Sequence, residues 1–93
     1  MNKIELIVYT PEGKEFTAEC DFAQIQGEKY LLGILPNHSP LVSDVSISKL
    51  LIRNHNIDTF CAVGEGLVSI ENNVIKLMVD SLIASSSWSN PIK

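Results

Sequence analysis

"IELIVYTPEGKEFTAEC", residues 4–20, decides how the rest of the chain is read. Ile4, Leu6 and Val8 fall on one face of a period-two repeat, with Ile7 and Tyr9 on the other. Successive side chains of an extended chain point to opposite sides, so this spacing is that of a strand. "TPEGK" then supplies a proline and a glycine at turn spacing, and the chain reverses. Beyond it Phe16, Ala18 and Cys20 alternate with Glu15, Thr17 and Glu19, the pattern of a half-buried strand with one wet face.

The same alternation continues outward from this hairpin. In "AQIQ" Ala23 and Ile25 oppose Gln24 and Gln26, and "YLLGIL" is a strand that ends at Pro36, whose missing N–H rules out a central ladder position. "SKLLIRN" and "TFCAV" flank the polar turn "NHNID". "EGLVSI" and "VIKLMVD" flank "ENN", where an asparagine suits a left-handed turn conformation. Ile75, Leu77 and Val79 point one way and Val74, Lys76 and Met78 the other. About 8–10 short strands, with turn signals every roughly 8–12 residues, predict an all-β fold: a small antiparallel β-sandwich or flattened barrel. One segment reads two ways, because Ile47, Leu50 and Leu51 also fit helical spacing. The end, "SLIASSSWSNPIK", keeps no period. The sandwich is expected over residues 1–84 and a frayed tail over 85–93, with Trp88 available to cover apolar surface.

Composition narrows the function. The 93 residues suit one small domain, and an apolar content of 45% suits one modest core. The net charge is −4 and Lys and Arg never run together, so nucleic acid is not an expected partner. A charged membrane surface is not expected either. No stretch reaches the roughly 20 apolar residues that span a bilayer, and the start lacks the pattern of a signal peptide, so no direct membrane insertion is expected. Cys20 and Cys61 lie far apart; two unpaired core thiols in a reducing cytosol fit better than a single disulfide in a secreted protein. A cytoplasmic protein is expected.

Catalytic chemistry finds little footing. His55 sits in the polar turn "NHN" and reads as a solvated turn residue. His38 is next to Ser39, but adjacent residues seldom face each other and no acid is near in sequence to orient the ring. Cys20, His38, His55 and Cys61 lack the spacing of a zinc site, and no glycine-rich phosphate loop occurs. "GEG", residues 64–66, reads as a bend where two strands meet or a point of close chain approach. No catalytic residue, cofactor or metal is therefore expected. By elimination the chain is a binding or structural module, and composition and spacing name no partner for it.

"GILPNHSPL", residues 33–41, is more specific. It resembles the GILPxHxPL turn in the N-terminal β-sandwich of the ε subunit of F-type ATP synthases. "LIVYTPEGKEF" resembles that family's opening strand, and "FCAVGEGLVSIENNVIKLMVDS" its later hairpin, so residues 4–84 are covered in the family's order. The resemblance implies a non-catalytic central-stalk subunit, peripheral to the cell membrane as part of the complex. Such a subunit binds the γ subunit, rests in a complete synthase on the c-ring, and couples the rotor to the α and β subunits of the catalytic head. The subunit-contact corner and rotor-facing loops would then comprise Leu31, Gly33, Leu35, Pro36, Asn37, His38, Pro40, Leu41 and Asp80. Gly33 would allow close backbone approach, Pro36 and Pro40 would stiffen the turn, and His38 would pack and hydrogen-bond within it.

The chain also departs from the family pattern. The family continues into a helical hairpin that binds ATP in some members and inhibits the head when extended; none follows here, so both properties are expected to be absent. Leu31 stands where the family has an acid in a loop facing the c-ring, with Lys29 two residues earlier. Glu65 replaces a small residue in "SGG", Ser69 replaces the Glu of "LEV", and Asp80 matches the acid of "VLAD". These differences leave open an ε-like subunit of a divergent F-type ATPase motor not docked on an ion-conducting c-ring. Two remoter readings are an independent ligand-binding sandwich, which needs a concave apolar pocket, and a hydrolase using Ser39 and His38, which needs a buried acid beside the ring.

Overall fold

A computed structural model describes residues 3–13, 15–27 and 29–84. The strands are β1 Ile4–Tyr9, β2 Glu15–Cys20, β3 Phe22–Gln26, β4 Leu31–Ile34, β5 Leu41–Val45, β6 Ser48–Asn54, β7 Ile57–Val63, β8 Gly66–Glu71, β9 Val74–Val79 and β10 Leu82–Ala84. They form two five-stranded sheets, ordered β2-β1-β9-β8-β5 and β10-β7-β6-β3-β4. The described residues contain no helix. The all-β sandwich read from the sequence is the observed fold.

Alternation places the core between the sheets. Ile4, Leu6 and Val8 of β1, Ile75, Leu77 and Val79 of β9, and Val68 and Ile70 of β8 face inward from the first sheet. Ala23, Ile25, Ile34, Leu50, Ile52, Cys61 and Val63 meet them from the second. Each large side chain fully buried there contributes about 1.5–3 kcal/mol of transfer free energy. No polar or charged residue is buried among those described. Cys20 and Cys61 are buried free thiols; burial raises Cys20 to about 11, with a further push from Asp21, and Cys61 to about 12.

The structure settles one two-way reading and departs from the sequence reading at three points. The segment read both as strand and as helix is strand from Ser48 on, with Ile47 in the connection before it: Leu50 and Ile52 point in while Leu51 lies on the outer face. β5 was hidden because it is an edge strand, with Ser43 half-buried on the inward face where alternation would call for an apolar residue. β10 is three residues long, too short to establish a period, and gains its order from pairing with β7. One pair in the sandwich is parallel: β1 runs alongside β9, with Leu6 opposite Ile75 and Val8 opposite Leu77. That pairing joins the two ends of the domain and no local pattern announces it. The expected tail, residues 85–93 with Trp88, lies outside the described residues.

Because the chain reverses after every strand, its connections gather at two ends. At one end lie Asp21, residues 35–40, and two tight turns, His55–Asn56 and Asn72–Asn73. Both turns have positive φ at both positions, 55° and 63° in the first and 55° and 62° in the second. This is the type I′ geometry, whose twist matches that of the flanking strands. At the other end lie Thr10–Gly13, Tyr30, Ser46–Ile47, Gly64–Glu65 and Asp80–Ser81.

Candidate functional site

The corner is the crossover from one sheet to the other: β4 is an edge of the second sheet and β5 an edge of the first. Leu35, Pro36, Asn37 and His38 form a turn closed by the His38 N–H, which donates to the Leu35 carbonyl at 3.2 Å. Pro36 supplies the fixed φ of the first central position, and Asn37, at φ 68°, takes the left-handed second position. This is a type II turn written in residues suited to it.

His38 is half-buried and its Nδ1 lies 2.7 Å from the Ser39 carbonyl oxygen. A carbonyl only accepts, so Nδ1 carries the proton in this contact. The ring nitrogen that a catalytic acid would hold is thus engaged by backbone. With no buried polar or charged group among the described residues, the acid required by a hydrolase is not found there. Leu41, which ends the corner, is half-buried against the core and opens β5 opposite Ile70. Pro40 and Leu35 are exposed, Leu35 at 60%.

Gly33 behaves differently from the glycines the fold demands. It has no positive φ, and a Cβ there would sit in ordinary contact with the Phe22 ring, 3.5 Å away. At Gly66, by contrast, a Cβ would strike the Met78 carbonyl oxygen and lie 2.7 Å from the Val79 Cα. The sandwich itself has room for a methyl group at position 33.

The corner is also tied to the β8–β9 turn of the first sheet. The Asn37 backbone N–H donates to Asn73 Oδ1 at 2.5 Å, and Asn73 Nδ2 donates to Asn37 Oδ1 at 3.4 Å. Asn73 belongs to the β8–β9 turn, and its own carbonyl accepts from the Glu5 N–H at 2.9 Å, fixing it to β1. Sequence reading gave Asn73 a turn role only. No local signal singles it out, since Asn56 holds the same position in the other type I′ turn and makes no side-chain hydrogen bond among those described.

Asp80 and Leu31 do not join this cluster. Asp80 follows the far end of β9, about 23 Å from Asn73 at the usual strand rise. There its N–H donates to the Glu65 carbonyl at 3.0 Å, and its carboxylate stands against Gly64. Leu31 opens β4 at that same far end, 58% exposed, beside Tyr30 at 72% and near Ile47 at 73%. The Ser46 N–H, donating to the Gln26 carbonyl at 3.1 Å, joins the two loops that carry them. An open cleft of about 630 Å³ at this end is lined by Asp44, Val45, Ser46, Glu65, Gly66, Leu67 and Asp80. It is not the apolar pocket of a ligand-binding sandwich, and no metal-holding cluster occurs among the described residues. Elsewhere, Lys3 pairs with Asp21 at 3.4 Å and Arg53 with Asp58 at 2.7 Å. The Arg53 hydrogen bond holds the Asp58 carboxyl below the usual carboxylate range.

Residues 3–85 match the model of the ATP synthase delta/epsilon chain β-sandwich domain. The chain belongs to this family. An ATP synthase epsilon chain of Leptospira interrogans is 35% identical over 79 residues, covering 85% of this chain and 62% of that one. The epsilon chain of Alkalihalophilus pseudofirmus is 27% identical over 81 residues, covering 87% and 61%. The chain thus spans less than two thirds of the length of these relatives. Among solved structures, a Tetrahymena thermophila mitochondrial ATP synthase central stalk/c-ring matches with a TM-score of 0.71 at 21% identity, covering 89% of this chain and 67% of that one. A Euglena gracilis mitochondrial ATP synthase matches with a TM-score of 0.79 at 13% identity, covering 88% and 53%. At these identities the likeness is one of fold.

The geometry gives the delta/epsilon-family motifs a physical reading. "GILPNHSPL" is the crossover between sheets, with Gly33 at its outer edge and Leu41 at its root. The glycines of "GEG" admit the β9–β10 bend: Asp80 crowds Gly64 and β9 backbone crowds Gly66. Glu65 between them is exposed.

Proposed function

We propose that this chain is a non-catalytic ε-type central-stalk subunit of an F-type rotary ATP synthase, cytoplasmic and peripheral to the membrane as part of the complex. It binds the γ subunit through the corner formed by Gly33, Leu35, Pro36, Asn37, His38, Pro40 and Leu41. Leu31 and Asp80, at the other end, face the c-ring. Rotation is thereby coupled between the α and β subunits of the catalytic head and the membrane rotor. No cofactor takes part.

The observation that carries the reading is the state of the corner. Its turn is braced by hydrogen bonds within itself and to Asn73, while Leu35 stays exposed and Gly33 answers no steric need of the domain. A surface already ordered before binding loses little entropy when a partner arrives.

A second reading is favoured by one feature. The far end carries the exposed acids Asp44, Glu65 and Asp80, but Tyr30, Leu31 and Ile47 there are exposed and apolar, where a polar rotor loop would be matched by charge. An ε-like subunit of a divergent motor, not docked on an ion-conducting c-ring, accounts for that change.

Affinity purification of the tagged chain from its native cells, with partners identified by mass spectrometry, tests both. Recovery of γ with the α and β subunits is expected. Co-purifying c subunits favour the synthase, and their reproducible absence the divergent motor. A purified γ subunit that does not bind the chain overturns the proposal.

A further inference from the structure

The β8–β9 and β6–β7 turns are built alike. Each is a two-residue connection with positive φ at both positions and asparagine at the second, Asn73 in one and Asn56 in the other. Glycine is the favoured residue at that second position, since it meets no penalty at positive φ. Asparagine also adopts the conformation, at some cost, so residue type alone does not distinguish the two turns and their side-chain contacts do. Asn56 makes no side-chain hydrogen bond among those described. Asn73 makes a reciprocal pair with Asn37, 36 positions away in the chain.

We infer that Asn73 is the positioning residue of the contact corner: its side-chain amide sets the orientation in which residues 35–40 are presented to a partner, without touching that partner itself. This rests on the reading of the corner as the γ-binding surface. The geometry is that of a clamp. Pro36 and the His38–Leu35 hydrogen bond fix the shape of the turn, but both act within it and tie it to no other element of the sandwich. Asn73 supplies that tie, because its carbonyl is held by the β1 backbone through Glu5 while its side chain holds the Asn37 amide. The corner is thereby indexed to β1 and β9, two interior strands of the first sheet. Without the clamp the turn keeps its shape and loses its bearing.

The test uses the full chain, purified γ subunit, and three variants: Asn73→Gly, Asn73→Asp and, as control, Asn56→Gly. Asn73→Gly keeps the turn in its favoured conformation and deletes both side-chain bonds. Asn73→Asp keeps an acceptor for the Asn37 N–H, and a flip of the Asn37 amide lets its Nδ2 meet the new carboxylate. Asn73→Gly is expected to weaken γ binding by about tenfold, with Asn73→Asp recovering most of it and Asn56→Gly leaving it unchanged. Amide hydrogen exchange at Asn37 should accelerate in Asn73→Gly alone, while the melting temperatures of the two glycine variants stay alike. Those two readouts separate positioning from a general loss of stability.

If the wild-type chain binds γ and Asn73→Gly binds equally well, the inference is overturned and the function stands. It is overturned too if Asn37 exchanges as fast in the wild type as in Asn73→Gly, or if Asn73→Asp recovers neither binding nor protection. If the wild-type chain does not bind γ, the functional reading itself fails and the inference goes with it.

Discussion

The carboxylate of Asp80 occupies the space into which a side chain at Gly64 would grow. Two connections meet there at one end of the sandwich, joined by the backbone: the Gly64 N–H donates to the Ser81 carbonyl at 3.0 Å. An acid that resembles part of a rotor-facing loop in sequence is thus also a packing neighbour of the β7–β8 bend.

The two glycines of that bend should respond differently to alanine. At Gly66 the obstacle is the β9 backbone, which cannot move without breaking the β8–β9 ladder, so Gly66→Ala is expected to cost about 1–3 kcal/mol. At Gly64 the obstacles are the side chains of Asp80 and Ser81, both exposed and free to rotate. Gly64→Ala should cost less than its neighbour. Urea unfolding of both variants gives the order, and a reversal would place the constraint elsewhere.

Gly33→Ala separates stability from binding. Glycine in a strand is less stable than alanine by roughly 0.5–1 kcal/mol, and the added methyl meets only the Phe22 ring at ordinary distance, 3.5 Å. The variant should therefore melt at or slightly above the wild-type temperature. If γ packs against this edge, its affinity falls in the same variant, as titration calorimetry would show. Unchanged affinity would remove Gly33 from the contact.

Both thiols should be inert in the folded protein. Burial raises Cys20 from 9.0 to about 11 and Cys61 to about 12, so at pH 8 neither supplies an appreciable thiolate. A thiol-specific reagent at pH 8 should label the chain only in denaturant. The folded values exceed the unfolded ones, so this contribution to stability is whole below about pH 9 and is lost as pH rises towards 11 and 12. A denaturation series from pH 8 to 11 should show stability falling; a flat profile would contradict it.

The parallel β1–β9 pair should dominate the core. Leu77, fully buried opposite Val8, is expected to cost about 2–5 kcal/mol when cut to alanine. Val42, 69% exposed on edge strand β5, should cost less than about 0.5 kcal/mol. Equal losses at the two sites would mean that β5 is covered in solution.

Much of this was readable beforehand because strand alternation is local. Ile4, Leu6 and Val8, or Ile75, Leu77 and Val79, declare an inward face within six residues, and the turns declare themselves through Pro, Gly and Asn. β5 and β10 were not readable, since an edge strand with Ser43 facing inward and a three-residue strand carry too little pattern. The corner was legible as a string but not as a place. Nothing in "GILPNHSPL" says that it crosses between sheets, or that Asp80 lies at the opposite end from Pro36.

The sequence by itself determined the all-β class, the faces of the strands with clear alternation and the family, since each depends on residues close together in the chain. Only the tertiary structure decided the parallel β1–β9 ladder, the crowding of Gly64 by Asp80 and the clamp of Asn73 on Asn37. These join residues far apart in sequence. Their free energy comes from burial and hydrogen bonds that exist only once the two sheets have closed on each other.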